Sequence, residues 1–503
     1  MHRSVNQVLR RLACRTICIL SAISTELTLA APGDLDFTFG QGTGKVVTTF
    51  STPAGPARSV AVRSDGRLVV VGDCLNGANS DFCLARYNQD GTLDVSFNGN
   101  GRVMGTFGNT GAIANGIALH SDGKIVASGR CWTGSGEDIC AARYNADGSL
   151  DVSFNTTGKV ITPFGGGNAF DTGDGVAIQY DGKIVVAGRC RVDTNYRFCI
   201  VRYNVDGSLD STFGSAGKVT TQIGGTFDSA SSVAIQPNGR IVVAGNCVAS
   251  QQNFCLSRYH ADGTLDVSLA GTGKVLTVIN TAAIATSVAL QPDDKIILAG
   301  RCWNGVSYYD FCLARYNADG SADRTLNGNG FVVAPATLGN NEATGVSVQA
   351  DGKIVLVGNC GSFCLARFNS DGSLDRTLNG TGKVVTPIGG AFPEPAYAVV
   401  VQPDGKIVAA GSCSDSNTPS STSTFCIVRY EGGPFGYKSC SMDIDGDGRV
   451  LATTDSLIHA RIALGLIGPA VTNGIAFAAS ATRNTWPLIR DYLVSHCGIP
   501  LPH

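Results

Sequence analysis

Charge is scarce in this chain, and what there is cancels. Lysine and arginine total 38 and aspartate and glutamate 40, so charged residues make up 16% of 503 and the formal net charge is −2. A balance of this kind offers no basic field to a phosphate backbone, which excludes a general nucleic-acid binder. Histidine is nearly missing: between residues 31 and 430 only His120 and His260 occur, too few for the four converging ligands of a zinc site. No segment has the roughly 20 consecutive apolar residues that cross a bilayer as a helix. The signatures G-x-S-x-G and H-E-x-x-H do not occur. Aromatic residues are few at 7%, whereas glycine reaches 64, a balance expected of many short strands joined by tight turns.

The first 30 residues read as a secretory signal. Arg3, Arg10, Arg11 and Arg15 form a basic region, Ile17 to Ile23 a short apolar one, and Thr28-Leu29-Ala30 a small-residue cleavage site. The expected location is therefore secreted or at the cell surface, in the periplasm or outside the cell.

Residues 31 to 430 are repetitive. Turns of the D-G-K type recur at Asp65, Asp122, Asp181, Asn238, Asp293, Asp351 and Asp404, spaced by 57, 59, 57, 55, 58 and 53 residues. A period this long marks a propeller or a solenoid. Each copy holds four candidate strands, which in the third are 175–179, 183–188, 198–204 and 217–223, with Asp-Gly turns between them. Gly accepts the positive φ that such hairpin turns require. Seven copies of four antiparallel strands predict an all-β seven-bladed β-propeller. The isolated strand KVVTTF at 45–50 is expected to complete the last copy, which stops after FCIVRY at 430; this would remove two free sheet edges.

Every copy carries two cysteines. The first lies nine residues after the aligned turn residue, whereas the loop to the second varies from three to twelve residues. Fixed strands and a variable loop put both cysteines at the base of a hairpin, where opposed residues lie about 4.5–5.5 Å apart, within disulfide reach. The expected pairs are Cys74–Cys83, Cys131–Cys140, Cys190–Cys199, Cys247–Cys255, Cys302–Cys312, Cys360–Cys364 and Cys413–Cys426. Such bridges imply an oxidising compartment.

Repetition also sorts the charged residues. Arg86, Arg143, Arg202, Arg258, Arg315, Arg367 and Arg429 share one repeat position, and Asp94, Asp151, Asp210, Asp266, Asp323 and Asp375 another. A pairing repeated around a ring reads as scaffold, because catalysis needs residues that break the repeat. The loops between blades, and between second and third strands, emerge on one face and vary, so a ligand site is expected there. They hold eleven acids (Asp81, Glu137, Asp138, Asp171, Asp174, Asp193, Asp228, Asp310, Glu342, Glu394, Asp415) against three bases (Arg58, Arg191, Arg197). That composition reads either as an acidic rim that gathers cations or as a solvated surface using turn chemistry. Asp171 and Asp174 form the densest non-repeated acid pair. Trp132, Tyr196, Trp303, Tyr308 and Tyr309 either stack on a ligand or cover the loop's own disulfide.

After a Gly-rich linker at 431–439 the repeat ends. In DIDGDGRVLATTDSLIHARIALGLIG, Asp443, Asp445 and Asp447 take positions 1, 3 and 5 of a calcium loop, Gly448 the turn and Arg449 the backbone-carbonyl position, with Thr454 at position 12 and Asp455 one residue late. The other reading is an acidic turn capping a helix at Asp455. Cys440 and Cys497 bracket this segment and are left to pair with each other.

These units resemble the delta-60 repeat of bacterial exported and surface proteins over about 400 residues, which implies a propeller-like repeat and brings no activity with it. The paired cysteines depart from that pattern, which usually has Ala in the corresponding D-F-A-L-A-R-Y-N segment. The tail is similar to half of a dockerin, the calcium-loop-and-helix module that binds cohesins, although residues 469–503 carry no second loop. The expected organisation is a signal peptide at 1–30, a propeller at 31–430, a linker at 431–439 and a calcium-loop and helix module at 440–503. The expected function is a monomeric, non-catalytic binding or structural protein with a glycan or protein ligand and calcium in its tail. The alternatives are a propeller enzyme acting on extracellular carbohydrate (a glycosidase, lyase or quinoprotein dehydrogenase) and attachment to the cell surface through the tail.

Overall fold

The structure is a computed structural model. It describes residues 30–433 apart from 51–53, 78, 109–110, 135, 166–169, 338, 389–393 and 415–422, and beyond them 444, 454, 457–458, 461, 469–477 and 484–495. The residues expected to form a calcium loop, Asp443, Asp445, Asp447, Arg449 and Asp455, the expected pair Cys440 and Cys497, and the expected signal sequence before Ala30 lie outside the described residues.

Among the described residues twenty-eight strands form antiparallel units of four. In blade three they are Thr172–Ile178, Ile184–Val192, Asn195–Tyr203 and Lys218–Thr221, in that spatial order. Blades three and four are joined into one eight-stranded sheet by a single parallel bridge, Tyr196 to Phe227. The turns take the residues they need: in Asn204-Val-Asp-Gly207, Gly207 has φ 84°, and Asp206 accepts the Ser208 amide at 2.9 Å.

The second and third strands of each blade are buried on both faces, and they read as continuous apolar runs such as Ile184–Ala187. They pack in clusters shared by neighbouring blades. Val185, Ala187, Phe198 and Ile200 of blade three meet Ile241, Val243 and Tyr259 of blade four. The last cluster joins Val408, Ala410, Phe425 and Ile427 of blade seven to Leu68, Val70, Ala85 and Tyr87 of blade one. The outer strand of blade seven is Lys45–Thr48, paired antiparallel with Ser423–Tyr430.

An ion-pair latch sits at the turn end of each blade. Arg86 Nε donates to Asp94 at 2.7 Å, Arg143 to Asp151 at 2.6 Å and Arg315 to Asp323 at 2.6 Å. The same Asp receives a second cation from the D-G-K turn, Lys124 on Asp151 at 3.0 Å and Lys183 on Asp210 at 3.1 Å. Several of these arginines also reach the next blade, as Arg258 does in donating to the Ala318 carbonyl at 2.6 Å. Burial alone would push the Asp323 carboxyl up, but hydrogen bonds from Thr325 and Arg315 and the Arg315 charge outweigh it and hold the group at about 2. The seventh aspartate is Asp36, on which Arg429 donates.

All seven propeller disulfides form, with Cα–Cα distances of 5.5–6.0 Å. The cysteines are not opposed, as the hairpin reading expected. Cys199 lies across from Gly188 and Cys190 across from Arg197, so the bridge runs diagonally. The reason is the glycine, repeated in every blade opposite the second cysteine. With no side chain there, the sulfur can cross the diagonal that strand twist shortens. A Cβ on Gly188 would stand 1.7 Å from the Thr172 carbonyl oxygen of the innermost strand, so no other residue fits.

In the tail, the described residues include short helices at Pro469–Thr472 and Trp486–Ser495, and Ile444, Ile458, Val471 and Ile489 pack into one small apolar cluster.

Candidate functional site

The innermost strand of each blade runs along the ring axis, and in all seven its pairing slips by one residue. In blade three Gly173 pairs with Gly188 and Gly175 with Ala187, so Asp174 between them has no partner. A bulge of this kind re-aims one side chain out of the sheet. The unpaired residues are Arg58, Asn115, Asp174, Ser231, Thr286, Thr344 and Tyr397. All seven line one axial cavity of about 210 Å³.

This ring is where the repeat breaks. The local motif is small-X-small-Val, as in Ala114-Asn115-Gly116-Ile117 with Ile in the last place, Gly173-Asp174-Gly175-Val176 and Ala230-Ser231-Ser232-Val233. The flanking residues are small because neighbouring inner strands converge; a Cβ on Gly175 would lie 2.9 Å from the Val233 amide nitrogen. X differs in nearly every blade. Sequence reasoning picked out Asp174 as half of an acid pair on the expected ligand-binding face and Arg58 only as a loop base, and passed over the other five, although the one variable place in an otherwise fixed motif was a readable signal.

Asp174 is held from two blades. Asn115 Nδ2 of blade two donates to its Oδ1 at 2.8 Å, and the Thr172 hydroxyl donates to its Oδ2 at 2.7 Å. Burial pushes its carboxyl up from the ordinary value, against the Thr172 hydrogen bond and the charges of Arg189 and Arg130. On blade one, Arg58 Nε pairs with Asp73 at 2.9 Å. Burial likewise pushes the Tyr397 hydroxyl up. The Thr286 and Thr344 hydroxyls donate to carbonyls of the following blade, Ala343 at 2.7 Å and Ala396 at 2.8 Å.

The acid pair comes apart. Asp171 is fully buried three residues before the bulge and accepts the Phe164 amide at 2.8 Å and the Arg191 amide at 3.1 Å, so it staples the inter-blade loop while Asp174 faces the channel. Burial pushes Asp171 up too, against those backbone hydrogen bonds. Asp228 and Glu394 occupy the equivalent place and accept the Ile223 and Ile388 amides at 2.6 and 2.7 Å. The acidic rim is corrected in the same way. Asp81, Glu137, Asp138, Asp171, Asp228, Asp310 and Glu394 are all buried, because a carboxylate is the acceptor that satisfies loop amides or side-chain donors at these positions.

The aromatic candidates belong to arginines. Arg130 lies over Trp132 at 5.5 Å, Arg189 over Tyr196 at 5.5 Å and Arg301 over Tyr309 at 5.1 Å. Trp303 meets Tyr309 edge-on at 5.4 Å, and Tyr308 is exposed. The three arginines share the repeat position just before the first cysteine. Among the described residues no group of three or more His, Cys, Asp or Glu side chains is arranged to hold a metal ion. A larger hollow of about 510 Å³ lies on the outer rim, between Thr49, Phe50 and Met104, and offers one charged group, Arg102.

Seven segments of the chain match a family model described as a domain of unknown function, DUF5122, β-propeller: residues 63–97, 120–154, 179–213, 236–269, 291–326, 349–378 and 402–432. No curated protein matches. Among solved structures the chain is similar to a catalytically inactive virginiamycin B lyase from Staphylococcus aureus (12% identity over 76% of this chain and 98% of that one, TM-score 0.44). It is also similar to the polysaccharide lyase Uly1 (10%, 78% and 93%, TM-score 0.42) and to the WD40 propeller domain of Doa1 (11%, 77% and 97%, TM-score 0.41). With seven matched repeats and 28 strands in four-stranded units among the described residues, the chain is a repeat protein of the β-propeller type.

Proposed function

We propose that this protein is an exported binding protein without catalytic activity, which takes its ligand at the mouth of the axial channel on the variable-loop face. The ring of bulge residues carries the reading: it is the place where copies otherwise alike present different polar side chains to one cavity. The surrounding machinery is repeated and stabilising. Seven disulfides fit an oxidising compartment, in line with the signal sequence at 1–30. Among the described residues no helix is long and apolar enough to cross a membrane.

In this reading residues 31–430 form one monomeric ring completed by the N-terminal strand. Residues 440–503 form a separate module that calcium stabilises through Asp443, Asp445, Asp447, Arg449 and Asp455, with Cys440 bonded to Cys497. Attachment to the cell surface through that module is tested by deleting it and comparing the protein's distribution between cells and medium.

One observation favours an enzyme instead. Asp174 is a channel carboxyl pushed up by burial, the property a general acid needs. It stands without a second carboxyl among the channel-lining residues. The deciding experiment is a glycan, peptidoglycan and small-substrate panel on the secreted protein, with calcium and with chelator. Binding without turnover supports the proposal; product formation that Asp174→Asn abolishes replaces it with the enzyme reading.

A further inference from the structure

We propose that the ligand of this channel is a neutral polyhydroxylated ring, the terminal residue of a saccharide, held by Asn115, Asp174, Ser231 and Ser232, with Arg58 and Tyr397 of blades one and seven lining the same cavity. The inference rests on the binding-site reading and gives it a ligand class.

The unused hydrogen-bonding capacity of the ring points there. Thr286 and Thr344 commit their hydroxyl protons to the next blade, so blades five and six offer little to a ligand. Among the described residues, the hydroxyls of Ser231, Ser232 and Tyr397 and the Asn115 carbonyl oxygen make no hydrogen bond. Each Asp174 oxygen accepts one, from Asn115 or Thr172, and keeps a further lone pair. The open positions on blades two, three and four form a continuous arc that mixes donors with acceptors. A hydroxyl both donates and accepts, and adjacent hydroxyls on a ring present that mixture at the spacing of one carboxylate or one amide. An apolar ligand would leave every one of these groups unpaired.

Charge and size narrow the class. The ring's cation, Arg58, is already paired with Asp73 at 2.9 Å, and its anion, Asp174, lies in the field of Arg189 and Arg130. A charged ligand would have to compete with Asp73 for Arg58 or with the field of Arg189 and Arg130 at Asp174, and a neutral one displaces only water. The cavity of about 210 Å³ lies below the roughly 300–1,000 Å³ of pockets that take drug-sized ligands, room for one ring and not for a buried chain.

The test is isothermal titration of the full secreted protein with neutral mono- and disaccharides and with the matching uronic acids and amino sugars, at pH 7.5. Asp174→Asn, Asn115→Ala and the milder Ser231→Ala are compared with Tyr308→Ala, and thermal melts confirm that each variant is folded. The expected result is binding of a neutral sugar that falls about tenfold or more in Asp174→Asn and Asn115→Ala, falls less in Ser231→Ala, and is unchanged in Tyr308→Ala. Sugar binding lost in Tyr308→Ala and kept in the channel variants overturns the channel assignment while leaving a binding protein. Preference above tenfold for a uronic acid or an amino sugar overturns the neutral class. Absence of any sugar binding by the folded protein overturns the saccharide, whereas turnover of a sugar overturns the non-catalytic reading itself.

Discussion

Arg429 and Asp36 stand 393 residues apart in the chain, yet Arg429 Nε donates to Asp36 Oδ2 at 2.5 Å. Their pair is the seventh copy of a contact that the other blades make eight residues apart, as between Arg367 and Asp375. Arg429 also donates to the Gln89 carbonyl of blade one at 2.5 Å and lies over Phe39 at 4.4 Å. Lys406 adds a second cation to Asp36 at 2.7 Å. One buried carboxylate thereby ties the start of the described chain to its last blade.

Removing it should cost more than removing a local latch residue. Asp36→Ala leaves the Arg429 guanidinium buried and unpaired, a loss of about 3–5 kcal/mol by the usual cost of breaking a buried pair, and it also frees the strand Lys45–Thr48. The expected outcome is a lower melting temperature than for Asp94→Ala, with early proteolysis near residues 30–50. Equal melting temperatures for the two variants would show that the distant pair has no special role.

The latch aspartates set the acid limit of the fold. The Asp323 carboxyl is held at about 2 in the folded state, below its unfolded value near 3.9. A depressed carboxyl contributes stability that is present above the unfolded value and disappears as pH falls through the folded one. Melting temperature is therefore expected to fall between about pH 4 and pH 2, and Asp323→Asn should flatten that part of the curve. A variant whose acid profile matched the parent protein would contradict this.

A second repeated contact supplies its own internal control. Tyr203 hydrogen-bonds Thr162 of the preceding blade at 2.7 Å, and Tyr259 donates to Thr221 at 2.8 Å. At the equivalent place blade one has Gly105, and the Tyr144 hydroxyl is buried with no partner among the described residues. Where blade five has Ala334, blade six has Phe368 in place of the tyrosine. Tyr203→Phe should cost about 1 kcal/mol, the net value of one buried hydrogen bond, while Tyr144→Phe should be neutral or stabilising. Chemical denaturation of both variants checks it; equal losses would show that Tyr144 is satisfied after all.

Asp174 gives a stability readout of the channel that needs no ligand. Burial raises its carboxyl above the unfolded value, so the folded state favours the protonated form and is destabilised by ionisation as pH rises. Asp174→Asn is accordingly expected to raise the melting temperature at pH 8, with the gain shrinking as pH is lowered toward the unfolded value. A destabilised variant at pH 8 would mean that the carboxylate holds blades two and three together through Asn115.

The glycine opposite each second cysteine should tolerate no side chain. In Gly300→Ala the new Cβ would sit 1.9 Å from the Ile284 carbonyl oxygen, so the bulge and the disulfide next to it cannot both keep their geometry. Loss of folded protein, or a free thiol pair at Cys302 and Cys312 by mass spectrometry, is the expected result. A normal yield of folded protein with all bridges intact would refute it.

Much of this was legible in the sequence for one reason: a period near 57 residues exposes every scaffold element several times. The strands, turns, cysteine pairs and Arg–Asp latches all recur, and recurrence separates them from chance. Asp36 was legible too, since Gly33-Asp-Leu-Asp36 followed by Thr38-Phe39 and Gly44-Lys-Val repeats the pattern at Gly207-Ser-Leu-Asp210, Thr212-Phe213 and Gly217-Lys-Val, but it precedes the first blade instead of following one. The loop acids were misread because composition cannot tell a solvated carboxylate from one that caps buried amides; Asp171 and Asp174, three residues apart, ended in different environments.

The sequence by itself determined the blade: four strands, their turns, the bridge within each hairpin and the charge that latches it, because those contacts lie within one repeat and depend on local spacing. Only the tertiary structure decided what the blades make together. The bulge in each inner strand is a mismatch between two strands, invisible in either one. Its seven side chains meet only because the inner strands converge on one axis. The pair Arg429–Asp36, likewise, joins residues that no local spacing relates, since it forms only when the last blade comes round to the first.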